Sequence, residues 1–301
     1  MIRTTPWIER KRGTRTRRFA AKARSWVRRE EGTTPSVPHP AKKRDAPPFY
    51  STYALLYDPL PAMYPRLFLK PIKDAPVRAG HPWIFSEAIA ELPADVEPGD
   101  LVDVCTPQGE YLATGSINLR TSIAVRIFHH EEGRVIDTAW FVQRLRALRD
   151  WKLPLLPPNT NGYRLVHAEN DGIPGLIVDV YGDVVVFQLH TIGIDRLRQE
   201  VLEALQTVLQ PRAIVERSDV MARKQEGLAL IDPRVHTGSV SEPVAFIEGG
   251  VHLLADVIHG QKTGFFLDQR RARLAVQHLA KDKRVVNLFS YTGAFSLHAL
   301  A

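Results

Sequence analysis

The chain predicts a two-part fold class, α/β plus β: an N-terminal β-barrel, a middle α+β subdomain and the opening of a doubly wound domain. Three observations carry this. Short apolar or alternating runs punctuated by turns fill Arg66 to Phe128. Leu176 to Val180 and Val184 to Leu189 flank Tyr181-Gly182-Asp183, a strong hairpin signal. Near the end, Val285 to Leu288 reads as a buried parallel strand, Ser290 to Gly293 as a tight turn and Ala294 to Ala301 as the start of a helix.

The barrel rests on Arg66 to Leu69, Leu101 to Val104, Glu110 to Ser116 and Ile123 to Phe128, separated by Glu97-Pro-Gly-Asp100 and Pro107-Gln-Gly109. Thr138 is positioned to cap a helix with Phe141, Leu145 and Leu148 on one face, ending near Trp151 before the Pro-rich run Pro154 to Pro158. Asp195 is positioned to cap a second helix with Leu197, Val201, Leu205 and Val208 on one stripe, and Ala213 to Glu216 resumes as a strand. Val251 to Val257 reads as a strand, Gly260 to Gly264 as a loop, and Asp268 as the cap of a helix bearing Arg273, Leu274 and Leu279. The domains expected are 1–62, a basic and Pro-rich disordered tail; 63–137, the barrel; 138–160, helix and linker; 161–245, the middle subdomain; and 246–301, the start of the doubly wound domain.

The 301 residues, 44% of them hydrophobic, suffice for more than one core. No apolar run approaches eighteen residues, so no membrane span is expected. The single cysteine, Cys105, precludes an internal disulfide framework and fits a reducing, cytoplasmic compartment. The net charge of +7 points towards nucleic acid, but its location tells against that use. Residues 1–60 hold 14 Lys+Arg and 5 Asp+Glu, which leaves 26 basic and 28 acidic residues from totals of 40 and 33. The excess therefore sits in the tail, whose composition buries too little apolar surface to offset its ordering entropy. The tail reads either as an upstream translation artefact, with Met63 as a natural initiator, or as an Arg-rich RNA-binding arm.

Two C-terminal blocks carry the chemistry. Ser290-Tyr-Thr-Gly293 follows the expected strand, and backbone N–H groups at the helix start can hold a carboxylate, with Gly293 allowing close approach. Lys262-Thr-Gly-Phe-Phe-Leu-Asp-Gln-Arg270 lies upstream. Beyond capping by Asp268, its flanking Arg271 and Arg273 read as solvated charges. Elsewhere, Glu169-Asn-Asp-Gly-Ile-Pro-Gly175 reads as a turn between strands. Glu216-Arg-Ser-Asp219 reads either as a packed ion-pair network or as a wall of a substrate cleft. The histidines show no ligand spacing, so no metal site is expected. In His81-Pro-Trp-Ile-Phe85, Trp83 and Phe85 read as barrel core.

Those blocks in that order resemble, from about Arg66 to Ala301, the class I S-adenosylmethionine-dependent methyltransferases that modify large-subunit ribosomal RNA. The resemblance is best to the cytosine-5 enzymes that carry a PUA-like RNA-binding domain before the Rossmann-like domain. It implies a PUA-like barrel, S-adenosyl-L-methionine as cofactor and large-subunit ribosomal RNA as partner. It further implies cofactor contacts from Phe266, Gln269, Arg270, Asn287, Phe289, Ser290, Tyr291, Thr292 and Gly293. By charge, Lys70, Lys73, Arg78, Arg120 and Arg126 are candidates for an RNA backbone surface.

Cytosine carbon 5 is a poor nucleophile, and enzymes that methylate it add a cysteine thiolate to carbon 6. The resemblance places that cysteine on a later strand, for which this chain has no residue, and Cys105 reads as a small buried hydrophobe. The expectation is thus an incomplete methyltransferase domain, a chain inactive by itself and no catalytic residue to name. The alternatives are a non-catalytic RNA-binding fragment, and a relative that methylates guanine N7, which shares the turn but would not be expected to carry the PUA-like domain.

Overall fold

The computed structural model describes residues 63–240 and 243–301. The expected tail, 1–62, lies outside the described residues.

The first unit is a six-stranded mixed sheet built from β1 (Arg66–Leu69), β2 (Trp83–Phe85), β3 (Ile89–Glu91), β4 (Leu101–Cys105), β5 (Tyr111–Ile117) and β6 (Ile123–His129), with a short helix α1 (Ala75–Arg78) after β1. The strands run in the order β2-β6-β5-β4-β1-β3, with β1 and β4 parallel and every other neighbour antiparallel. Leu67, Leu69, Val102, Val104, Ile117 and Val125 fill its interior. The strands β2 and β3, too short to show a pattern in the sequence, complete the sheet. Within β2 the inward residue is Ile84, at 3% exposure, while Phe85 points outward and Trp83 is half-buried. This corrects the expectation for Trp83 and Phe85: side chains alternate along a strand, so the residue between the two aromatics faces the core.

The second unit centres on a five-stranded sheet, order β11-β10-β9-β8-β7, made by β7 (Gly162–His167), β8 (Leu176–Tyr181), β9 (Val184–Leu189), β10 (Ala213–Glu216) and β11 (Arg234–Thr237). The expected hairpin is present: β8 and β9 pair antiparallel, with Tyr181 opposite Val184. β9 runs parallel to β10, joined through α3 (Ile192–Arg196) and α4 (Arg198–Leu209). Alternation along β9 divides two cores. Val185, Phe187 and Leu189 pack towards α4 and α2 (Thr138–Lys152), while Val184 and Val186 pack on the opposite face.

Helix α2 shares the first of these cores through Trp140, Phe141, Leu145 and Leu148, each worth about 1.5–3 kcal/mol of burial. Its cap is Asp137, whose carboxylate accepts from the Trp140 N–H at 2.8 Å, so Thr138 is the first helical residue and not the cap. Asp195 likewise lies inside α3, where its carboxylate is drawn to Arg198 and to the buried Arg223 instead of to a helix end.

On the second face lies the hairpin β12 (Val244–Glu248) and β13 (Val251–Ala255), with Phe246 and Leu253 turned inward. The backbone of β7 approaches it closely. A Cβ on Gly162 would fall 2.2 Å from the Phe246 ring, so no larger residue fits there. After the hairpin come α6 (Arg270–Ala280) and α7 (Ala294–Leu300); a short helix, α5 (Ala222–Gln225), precedes β11. Asp268 lies in a 3₁₀ turn, Leu267–Gln269, and its side chain bonds Lys262 Nζ at 2.9 Å instead of capping α6. Leu279, on α6, is exposed.

Val285 to Leu288 form no strand. Val285, Val286 and Leu288 are exposed, since among the described residues no strand lies beside them to bond their backbone. The turn at Ser290 is formed, with the Gly293 N–H bonded to the Ser290 carbonyl at 2.8 Å.

Candidate functional site

The two C-terminal blocks meet in space although nineteen residues lie between them. The Tyr291 hydroxyl accepts the Gln261 N–H at 3.2 Å, and the Tyr291 ring meets the Phe266 ring edge to face at 5.4 Å. Lys262 Nζ sits 4.6 Å from the centre of the Phe266 ring, a cation–π contact worth about 0.5–1 kcal/mol at an exposed site. Gly293 has φ of 76° and open space on its Cβ side, so the turn presents backbone without a side chain in front of it. Ser290 and Tyr291 are exposed around the same turn.

The Lys262 loop is held from beneath by a buried polar chain. Asp179, fully buried, accepts from Nε and Nη2 of Arg164, each at 2.8 Å, and from the Thr263 hydroxyl at 2.6 Å. Tyr181 OH shares Thr263 Oγ1 at 2.8 Å, and burial pushes that phenol well above its ordinary value. A fully satisfied buried network fixes one geometry, so the loop is positioned by the middle sheet.

Other candidates from the sequence are placed differently. Arg270 turns inward, its Nε 3.0 Å from the buried Glu248 carboxylate. Arg273, expected to be solvated, is 1% exposed and binds both oxygens of the same carboxylate at 2.6 and 2.9 Å. His298 of α7 also approaches Glu248, at 3.3 Å, and burial pushes its imidazole below the ordinary histidine range. Asn287 donates to Ser296 Oγ at 2.9 Å, Gln269 takes the position before α6, and Phe289 is fully exposed. Glu216-Arg-Ser-Asp219 is a packed ion-pair network: Glu216 binds Arg198 and His236, and Arg217 binds Asp219 and the Val257 and Gly260 carbonyls.

On the barrel, Lys70 donates to the Glu87 carbonyl, Lys73 and Arg120 are exposed, and Arg78 is paired with Asp74 and Glu110. Arg126 instead bridges the two units, reaching Glu169 at 2.7 Å and Glu226 at 2.9 Å. Trp83 Nε1 donates to Glu169 at 3.0 Å and Asn118 Nδ2 to Glu226 at 2.8 Å, so the barrel is fastened to the middle sheet by a polar seam. The Glu169 turn is therefore also a fastening. The pairings of this seam were not visible in the sequence, because the partners lie 43 to 108 positions apart.

Cys105 is buried, and burial pushes its thiol up. Among the described residues no group of three or more His, Cys, Asp or Glu is placed to hold a metal ion. Among the same residues no helix is long and apolar enough to cross a membrane.

Two families match parts of the chain. Residues 67–130 match the PUA-like domain family. Residues 196–301 match the family of S-adenosylmethionine-dependent methyltransferases. The ribosomal RNA large subunit methyltransferase I of Alteromonas mediterranea is 38% identical over 240 residues, which are 79% of this chain and 60% of that protein. The protein of the same name from Escherichia coli is 39% identical over 237 residues, 78% of this chain and 60% of the relative. The chain thus spans about three fifths of the length of these methyltransferases. Among solved structures, one from Streptococcus mutans described as a SAM-dependent methyltransferase superposes with a TM-score of 0.63 at 22% identity, over 78% of this chain and 60% of that one. A second, described as a methyltransferase complexed with SAH, gives 0.64 at 22% identity over 78% and 59%. These two likenesses bear on the fold alone.

Proposed function

We propose that the chain carries the RNA-binding and cofactor-binding parts of an S-adenosylmethionine-dependent methyltransferase acting on carbon 5 of cytosine in large-subunit ribosomal RNA. The observation that carries this is the order of parts. A PUA-like barrel is fastened by the Arg126 seam to a middle sheet, and that sheet anchors the Lys262 loop beside the Ser290–Gly293 turn. Relatives 38–39% identical over 237–240 aligned residues are named as ribosomal RNA large subunit methyltransferases. The residues present fit the cofactor: the open Gly293 turn belongs to the same stretch as Tyr291, whose ring meets that of Phe266, and the Lys262 ammonium lies over the Phe266 ring.

In this reading the backbone of Ser290 to Gly293 accepts the amino-acid end of S-adenosylmethionine, with Phe266 and Tyr291 lining it and Lys262 adding positive charge. The cofactor supplies an electrophilic methyl group on sulfonium. Arg270 contributes by holding Glu248 and the start of α6, not by touching the cofactor. Lys70, Lys73 and Arg120 are the barrel cations open to an RNA backbone. Addition to carbon 6 requires an accessible thiolate, and the one cysteine is buried with a raised pKa, so the chain binds and does not transfer.

The test is a paired assay on the full chain. Filter retention of labelled S-adenosylmethionine and of large-subunit ribosomal RNA should both be positive, the RNA affinity falling with added salt, and no label should enter the RNA. Absence of both binding activities overturns the reading. Label recovered as 5-methylcytidine overturns the view of the chain as binding without transfer, and label in another nucleoside overturns the cytosine assignment.

A further inference from the structure

A second cleft, away from the Ser290 turn, lies where the barrel meets the middle sheet. It encloses 180 Å³ and is lined by Trp83, Arg126, Glu169, His190, Thr191 and Gln225 among others. With about 30 Å³ per water in the liquid, that space is the size of one small planar ring and too small for a folded ligand.

Its walls have a defined polarity. Glu169 uses Oε1 to accept from both Trp83 and Arg126, and its other oxygen carries no hydrogen bond among the described residues. His190 uses Nε2 against Gln188 at 3.1 Å, which leaves Nδ1 without a described partner. The Thr191 hydroxyl is 5% exposed by residue and has no partner at all among the described residues. Of these the Thr191 oxygen is the buried atom left unpaired, at a cost of about 1–3 kcal/mol, and together with the Glu169 oxygen and His190 Nδ1 at the same cleft it defines what the cleft can receive. One guanidinium stands there against two carboxylates, Glu169 and Glu226, so the cleft does not favour a phosphate. An acceptor-rich edge beside an indole ring suits a neutral heteroaromatic ring bearing an exocyclic amino group, the pattern by which unpaired bases of RNA are recognised.

We propose that this cleft holds one unpaired, amino-bearing nucleobase of the RNA, with Glu169 and Thr191 accepting and donating along its edge and Trp83 bounding its face. The proposal rests on the RNA-binding reading above and adds a base-reading position distinct from the cofactor turn. It makes the seam that joins the two units part of the recognition surface.

Octacytidine and octauridine differ at the base edge by an amino group against a carbonyl, so fluorescence anisotropy with the two labelled oligonucleotides and the full chain is the test. The wild type should bind octacytidine about tenfold more tightly, the ratio expected from one well-formed base-edge contact. Glu169→Gln keeps an oxygen for Trp83 and Arg126 but replaces the free acceptor with a donor, and should bring the ratio near one or reverse it. Thr191→Val, which removes only the hydroxyl, should weaken octacytidine several-fold and leave octauridine unchanged. Thermal melting of both variants checks that the seam is intact, and a Glu169→Gln chain that melts early leaves Thr191→Val as the deciding variant. Equal binding of the two oligonucleotides by the wild type, or a ratio unchanged in both variants, overturns the cleft assignment while the RNA reading stands. No binding of either oligonucleotide or of ribosomal RNA overturns both.

Discussion

Replacing Glu248 with glutamine keeps the shape of a fully buried side chain and removes the charge that three elements share. Arg273, 1% exposed, loses the one carboxylate that binds it among the described residues, keeping the Phe266 carbonyl at 2.9 Å. Arg270, at 17%, can rehydrate in part, and His298 loses the Glu248 charge beside it. Breaking a buried pair by neutralising one partner costs about 3–5 kcal/mol. Discounting the partly exposed Arg270, the lower end of about 3 kcal/mol applies. At about 1.4 kcal/mol per factor of ten, native-state hydrogen exchange in α6 and α7 should accelerate by roughly a hundredfold. Amides of β8 and β9, which Glu248 does not touch, should keep their protection. Acceleration below about threefold in α6 would show that the carboxylate is not what docks the helix, and that Arg270 is free to serve the cofactor directly. Arg271→Ala, on the exposed side of the same helix, is the control and should change nothing.

Further outcomes follow from other residues. Gly293→Ala adds a Cβ that meets no atom within 4 Å but forces alanine to a φ of 76°, costing about 1–2 kcal/mol in the turn, and should weaken S-adenosylhomocysteine about tenfold with little change in global melting. For Glu216, burial raises the carboxyl pKa, but hydrogen bonds from Ser218, Arg198 and His236 outweigh it and hold the group below its ordinary value. A lowered folded pKa stabilises above the unfolded value of about 4.3 and loses that contribution as pH falls through the folded value. The gap in urea midpoint between the wild type and Glu216→Gln should therefore be widest at neutral pH and close under acid, and a gap independent of pH would contradict this. Cys105 should resist a thiol reagent in the native chain and react once per chain in denaturant; fast native reaction would show that the barrel opens.

The strands were legible where their side chains divide between two faces. Arg66–Leu69, Val184–Leu189 and Ala213–Glu216 appear with the bounds the sequence implied, and β8 differs only at the hairpin end, where it runs on to Tyr181. Local alternation needs no knowledge of the partner. Charge was not legible in the same way. Arg273 looked like a solvated residue on a helix, and only the position of Glu248, 25 residues earlier on a hairpin strand, makes it a core residue. Asp195 and Asp268 show the same limit, since whether an aspartate caps a helix depends on which arginine or lysine competes for it. Val285 to Leu288 carries the composition of a buried strand, but a strand exists only where a neighbour bonds its backbone, and periodicity is silent on that. At the candidate site the sequence brought Phe266 and Tyr291 forward, and the structure joins them. It did not bring forward Asp179 and Thr263, which hold the loop from below, because Thr263 sits inside the block as one hydroxyl among apolar neighbours.

The central claim is that the Lys262 loop and the Ser290 turn together form a binding place for the cofactor. Isothermal titration of the full chain with S-adenosylhomocysteine measures it most directly, beside a Tyr291→Ala chain that breaks both the ring contact with Phe266 and the bond from Gln261. The account predicts saturable one-to-one binding by the wild type and at least a tenfold loss in the variant, at about 1.4 kcal/mol per decade. No heat of binding in a folded wild-type chain, or equal affinity in the two, would contradict it.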